Sequence, residues 1–275
     1  HPQHRRQRQM CIRDSHNSAL QVLEEIGLAD APESGVKAMT SVGAILGEDG
    51  RIRFPRELVE KTLSYAARDF TLHSRSNIHS LLLKKNRVHY GTAGAAVHVV
   101  DLETNDYRDS TVSDLFAAAK LSDHLDNIHF LQRPMICRDI TDNFEMDLNT
   151  VFACCAGTGK HVGVSFTEAS YVKPIMEMVH ILSGGKNSWF EKPFISNSNC
   201  FVVPPLKFAT ESCLVMEECI KSGMPILLLS AGQAGATAPA PIAGAIVQAV
   251  AECLAGLVYV NSIEKGFPAI FGTWP

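Results

Sequence analysis

The stretch Ser230-Ala231-Gly232-Gln233-Ala234-Gly235-Ala236-Thr237 follows an apolar run at 226–229 and precedes Pro239 and Pro241. A short, wholly apolar run predicts a strand buried on both faces. The glycines predict a tight turn, and the prolines suit the first turn of a following helix. Strand, glycine-rich turn and helix form the βα corner at which open α/β sheets and α/β barrels hold their ligands. At such a corner the N–H groups of Gly232, Gly235 and Thr237 could meet an anion such as a carboxylate, and the Gln233 amide could orient a substrate. The bland alternative is a turn that only caps the next helix.

Four other apolar runs carry small polar residues just past them. They begin near Asn127, His161, Phe194 and Ala269, and the first three are spaced by roughly 33 residues from one another and from Ile226, the period of a βα unit. Helical patterns fill the gaps at 113–124, 146–157, 168–183, 206–222 and 242–263. The expected fold class is α/β, a partial (β/α)8 TIM-type barrel behind an N-terminal α+β lead-in. The boundaries are 1–15 for a disordered or artefactual basic tail, 16–110 for the lead-in and 111–275 for the incomplete barrel. Five strands, or six with 87–90, fall short of eight, so a barrel fragment is expected. Whether such a fragment folds and acts alone is left open, because an unclosed barrel exposes strand edges.

The predicted strand ends are neutral and amide-rich, with Arg133 and Glu168 the nearest charges. Asn197 and Asn199 supply amides there, and Phe166, Phe201 and Trp274 supply aromatic faces. Aromatic faces beside neutral amides suit a permanently cationic ligand such as a quaternary ammonium; the bland alternative is packing. No carboxylate pair, Schiff-base lysine or metal-binding histidine set is expected at these ends, and no metal site. Gly232-x-x-Gly235 lacks the first glycine of a dinucleotide fingerprint, and Gly-Lys-Ser/Thr is absent.

The formal charge is −4; Arg5, Arg6, Arg8 and Arg13 against Asp14 give the tail +3, leaving −7 on the rest. That balance argues against nucleic acid or an anionic membrane as the main partner. The eight cysteines form no Cys-x-x-Cys pair and suit a reducing compartment, so a cytoplasmic location is expected. The apolar run at 242–260 includes Gln248 and Glu252, which favours a core helix over a membrane span.

At Gln233-Ala234-Gly235-Ala236-Thr237-Ala238-Pro239, followed by Ala243-Gly244 and Ala251-Glu252-Cys253-Leu254-Ala255-Gly256, the chain resembles the trimethylamine:corrinoid methyltransferase family. Asp101-Leu102-Glu103-Thr104, Asn127-Ile128-His129-Phe130 and Gly272-Thr273-Trp274-Pro275 support the resemblance, which runs from about residue 18 to the end. It implies a (β/α)8 barrel that passes a methyl group from a methylated amine to the Co(I) of a separate corrinoid protein. The cobalamin-type corrinoid would come with that partner, with no tightly bound cofactor in this chain. Some members carry pyrrolysine at the barrel mouth and act on trimethylamine; this chain has no non-standard residue. The expectation is therefore a quaternary amine, glycine betaine first. Gln233 would be the catalytic-site residue, Phe166 and Trp274 would line the ammonium pocket, and Asn197, Asn199 and the Gly232, Gly235 and Thr237 turn would hold the substrate. The rivals are a barrel enzyme for an anionic metabolite and a non-catalytic methylated-amine-binding protein. Homo-oligomerisation is left open.

Overall fold

The computed structural model describes residues 2–76 and 78–273. In chain order the elements are α1 (Pro2–Glu25), α2 (Glu33–Ser41), β1 (Ile45–Leu46), β2 (Ile52–Arg53), α3 (Arg56–Tyr65), β3 (Phe70–Leu72) and β4 (Leu81–Leu83). There follow β5 (His98–Val100), β6 (Tyr107–Asp109), α4 (Val112–His124), β7 (Phe130–Gln132), α5 (Asn143–Gly157), β8 (His161–Val164) and α6 (Ala169–Leu182). The chain then forms α7 (Lys186–Glu191), β9 (Ile195–Asn199), α8 (Thr210–Lys221), β10 (Ile226–Ser230), α9 (Ile242–Ile263) and β11 (Ala269–Thr273).

Three two-stranded hairpins, β1-β2, β3-β4 and β5-β6, precede a five-stranded sheet of order β11-β10-β9-β8-β7. Sequential strand order without reversal is barrel-type; a doubly wound sheet reverses its order at a switch point. The fold is thus the partial (β/α)8-type α/β architecture with an α+β lead-in. The segment 87–90, expected as a strand, forms none: Gly91 makes one parallel bridge to Phe130, and Arg87 N–H closes a turn on Lys84 O.

The chain forms two compact units, residues 1–67, 199–220 and 227–275 in one and 68–198 with 221–226 in the other. The texture change expected at 110 is the switch from hairpins to βα units; it does not coincide with the compact units. In the first unit Leu20 and Leu23 of α1 are fully buried, as are Ala255, Tyr259 and Val260 of α9. Arg51 ties the end of this layer by donating to the carbonyls of Ile26, Gly27 and Leu206 at 2.9 to 3.1 Å. Gly27 has φ +67, and a Cβ there would meet Ile52 O at 2.1 Å, so only glycine fits. Residues 2–15, expected as a disordered or artefactual tail, form the first part of α1. Gln and Arg are good helix formers, and Met10 and Ile12 are exposed.

In the second unit β7 and β8 pair in parallel (Leu131 with Val162), as do β8 and β9 (Val162 with Ile195). Thr111 and Asp114 form a capping box that starts α4, and the Asp142 carboxylate accepts from Glu145 N–H to start α5. Gly157 lets α5 lie against α4, since a Cβ there would meet Ala119 Cβ at 2.5 Å. The buried Lys160 ammonium donates to the carbonyls of Ser122, Leu125 and Ile128 at 2.6 to 2.9 Å, which caps the C-terminal end of α4.

Helix α9 is the one helix among the described residues long and apolar enough to cross a membrane, and 56% of its most apolar window is buried inside the protein.

Candidate functional site

Strand β10 ends at Ser230, and the next helix reaches back to it. The Ser230 hydroxyl donates to Glu252 Oε2 at 2.5 Å, and Leu206 N–H donates to Glu252 Oε1 at 2.9 Å. Gln248, one turn before Glu252 on α9, donates to Glu252 Oε1 at 3.2 Å and to Thr237 O at 2.9 Å. The Glu252 carboxyl is fully buried, and burial raises its pKa above the ordinary carboxylate value. One carboxyl thus joins the strand end, the loop at 206 and, through Gln248, the turn after β10.

That turn is held mostly by itself. Gln233 O accepts from the N–H groups of Ala236, Thr237 and Ala238 at 2.9 to 3.0 Å. Gly235, at φ +83, donates to Ala238 O, and the Thr237 hydroxyl accepts from Gln233 N–H at 2.9 Å. The N–H groups of Gly235 and Thr237, expected to meet a substrate carboxylate, are therefore spent inside the turn. Gly232 keeps its N–H out of these bonds and, with Ala234, borders a cavity of about 350 Å³. The rest of its wall comes from one face of α9, between Ile242 and Cys253, and from Phe271, Gly272 and Thr273 of β11. Its aromatic face is Phe271, which the sequence did not single out, and the exposed Gln233 is not among its walls.

Strand β9 carries two of the expected substrate residues. Asn197 and Asn199 were expected to orient a substrate, yet both are buried, at 0% and 4% exposure. The Asn199 amide donates to Ser212 O on α8 at 2.8 Å, so this face of the strand packs on a helix. Asn197 and Ile195 share that face by strand alternation. The opposite face carries Ser196, whose hydroxyl lies 3.0 Å from His161 Nε2. His161 Nδ1 lies 2.8 Å from His73 O, which fixes the tautomer with the proton on Nδ1 and Ser196 donating to Nε2. Full burial pushes the His161 pKa down to about 4, so the ring is neutral and structural.

At the ends of β7 and β8 the arrangement differs. Phe166 is buried at 9% exposure, and beside it Thr167 donates both its N–H and its hydroxyl to Asp147 Oδ2, at 2.7 and 2.8 Å. Asp147 comes from α5 and is itself buried; desolvation raises its pKa, and the charge of Arg133 opposes that rise. Arg133 directly follows β7, with its N–H donating to Gly163 O at 2.9 Å. Trp274 lies outside the described residues.

Two carboxylates therefore approach strand ends that the sequence made neutral, both carried by helices. Gln248 and Glu252, four apart on an apolar helix, were the available signal.

A chain of βα units in sequential strand order defines a barrel-type α/β protein. The chain belongs to the trimethylamine methyltransferase (MTTB) family, which matches residues 8–275. It is 26% identical over 259 residues to the trimethylamine methyltransferase MttB of Desulfitobacterium hafniense, covering 94% of this chain and 52% of that protein. It is 27% identical over 264 residues to a glycine betaine methyltransferase of the same species, covering 95% of this chain and 54% of that protein. The chain thus spans about half the length of the curated relatives it matches. The crystal structure of the Methanosarcina barkeri monomethylamine methyltransferase covers 94% of this chain and 70% of its own at 9% identity and a TM-score of 0.33, too distant to carry an argument.

Proposed function

We propose that this chain is part of a methyltransferase that moves a methyl group from a quaternary methylated amine, glycine betaine first, to the Co(I) of a corrinoid carried by a partner protein. The observation that carries the reading is membership of the methyltransferase family over residues 8–275, with trimethylamine and glycine betaine enzymes both among its relatives.

The chemistry suits the site residues described. The methyl group leaves nitrogen as the C–N bond breaks, with the electron pair staying on a neutral tertiary amine. The new carbon–cobalt bond takes its electron pair from Co(I), which becomes Co(III). Neither half requires a proton to be moved, so the chain's task is to bind, orient and exclude water. The neutral residues at the β10 corner, and carboxyls at Glu252 and Asp147 that are already hydrogen-bonded, are consistent with that division of labour.

The test is the visible spectrum of free cob(I)alamin under anaerobic conditions with this chain and glycine betaine. The reading expects the Co(I) bands to give way to those of methylcobalamin, with dimethylglycine formed in equal amount. Conversion at the rate of a protein-free control would count against it.

A further inference from the structure

We propose that Arg133 receives the carboxylate of the methylated amine and so selects betaine-type substrates over amines that lack a carboxylate. The inference rests on the methylated-amine reading above and names the group that would discriminate within it.

Arg133 occupies the first position after β7, and its N–H bond to Gly163 O fixes its main chain at the C-terminal end of two adjacent strands. Ligands of βα sheets bind at these strand ends. The side chain is half-buried, yet among the described residues its guanidinium has neither a hydrogen bond nor an ion pair. The other half-buried arginines all have partners: Arg51 donates to backbone carbonyls, Arg53 pairs with Asp49 and Arg56 with Glu60.

The Arg133 side-chain nitrogens are not among the fully buried unpartnered polar atoms, so the donors that make no bond within the protein stay open to an outside acceptor. Asp147 supplies an opposite charge in the neighbourhood that makes the cation tolerable, but its Oδ2 already accepts twice from Thr167. Five donors in a planar fork thus remain for an outside acceptor. A carboxylate matches that fork with two parallel bonds. The turn at 232–237, the other expected anion site, spends its Gly235 and Thr237 N–H groups internally, which leaves Arg133 the stronger anion-binding group.

Isothermal titration of the whole chain with glycine betaine and with tetramethylammonium separates the possibilities, using the native chain, Arg133→Met and Arg133→Lys. The expected result is a Kd for glycine betaine about 30-fold weaker in Arg133→Met, with the Kd for tetramethylammonium moving less than about 3-fold. Arg133→Lys should fall between, since it keeps the charge and loses the fork. An unchanged glycine betaine Kd in Arg133→Met overturns the assignment alone. So does equal weakening of both ligands with an intact near-ultraviolet circular dichroism spectrum, which would make the arginine a structural group. A native chain that takes up neither ligand overturns the methylated-amine reading, and this assignment with it.

Discussion

The corner after β10 and the paired ends of β7 and β8, where Arg133 follows β7 and Thr167 follows β8, carry similar networks and finish differently. Each has a buried carboxyl brought from a helix, Glu252 from α9 and Asp147 from α5, hydrogen-bonded to a hydroxyl and to a backbone N–H. At the β10 corner these bonds, with Gln248, use up the strand end, the loop at 206 and much of the turn. At the β7 corner the network stops short of Arg133, whose donors are left over. Complete satisfaction is what a scaffold needs; a charged group left unfinished is costly and is kept where a ligand completes it.

Removing the carboxyl of the finished corner should therefore hurt most. Glu252→Leu strands the Leu206 N–H and the Ser230 hydroxyl in the core, and should cost about 4 kcal/mol in urea unfolding. Glu252→Gln keeps an acceptor for Leu206 and should cost about 1 kcal/mol. Because the folded pKa of Glu252 is raised, its contribution is fully present below the ordinary carboxyl pKa. That contribution is lost as pH rises through the raised value, and Glu252→Gln should flatten that slope. A small loss in Glu252→Leu would break the contrast between the corners.

Next in size is the acid side of the pH profile. His161 titrates near 4 when folded and about 6.5 when unfolded, so below 6.5 the unfolded chain binds the extra proton. Stability should fall by about 3 kcal/mol between pH 6.5 and 4, and His161→Asn should remove that part of the slope while lowering stability at pH 7. Unfolding curves across this range would show it.

The unfinished corner should respond in the opposite sense. Arg133→Met removes a partly desolvated charge that makes no hydrogen bond, so its stability should stay within about 1 kcal/mol of native while its ligand selectivity collapses. A loss comparable to that of Glu252→Leu would mean that both corners are scaffold. Smallest of all is Gln233→Ala. Its backbone, not its side chain, organises the turn, and both stability and glycine betaine affinity should stay within about 0.5 kcal/mol of native.

Much of this architecture was written in the periodicity of the chain. Helix α9 spans 242–263 as its apolar pattern predicted, and β7 to β11 fall within the five apolar runs. The faces of β9 were harder. In Ile-Ser-Asn-Ser-Asn both faces are polar, and the phase is set only by the buried Ile195, which puts Asn197 and Asn199 on the helix-facing side. The carboxyls were missed for a different reason. A strand-end inventory counts residues on strands, whereas Glu252 and Asp147 reach the ends from helices distant in sequence. Arg133 was visible as the nearest charge, but that its donors are spare is a property of what surrounds it, which no local pattern encodes.

The claim that the β7 corner is the ligand-facing one can be tested by following the arginine Nε–H resonances, with the Arg133 signal assigned by its loss in Arg133→Lys. Addition of glycine betaine should move that signal to lower field, as a charged hydrogen bond forms, and tetramethylammonium should leave it in place. An Arg133 resonance that stays fixed while glycine betaine saturates the protein would contradict the account.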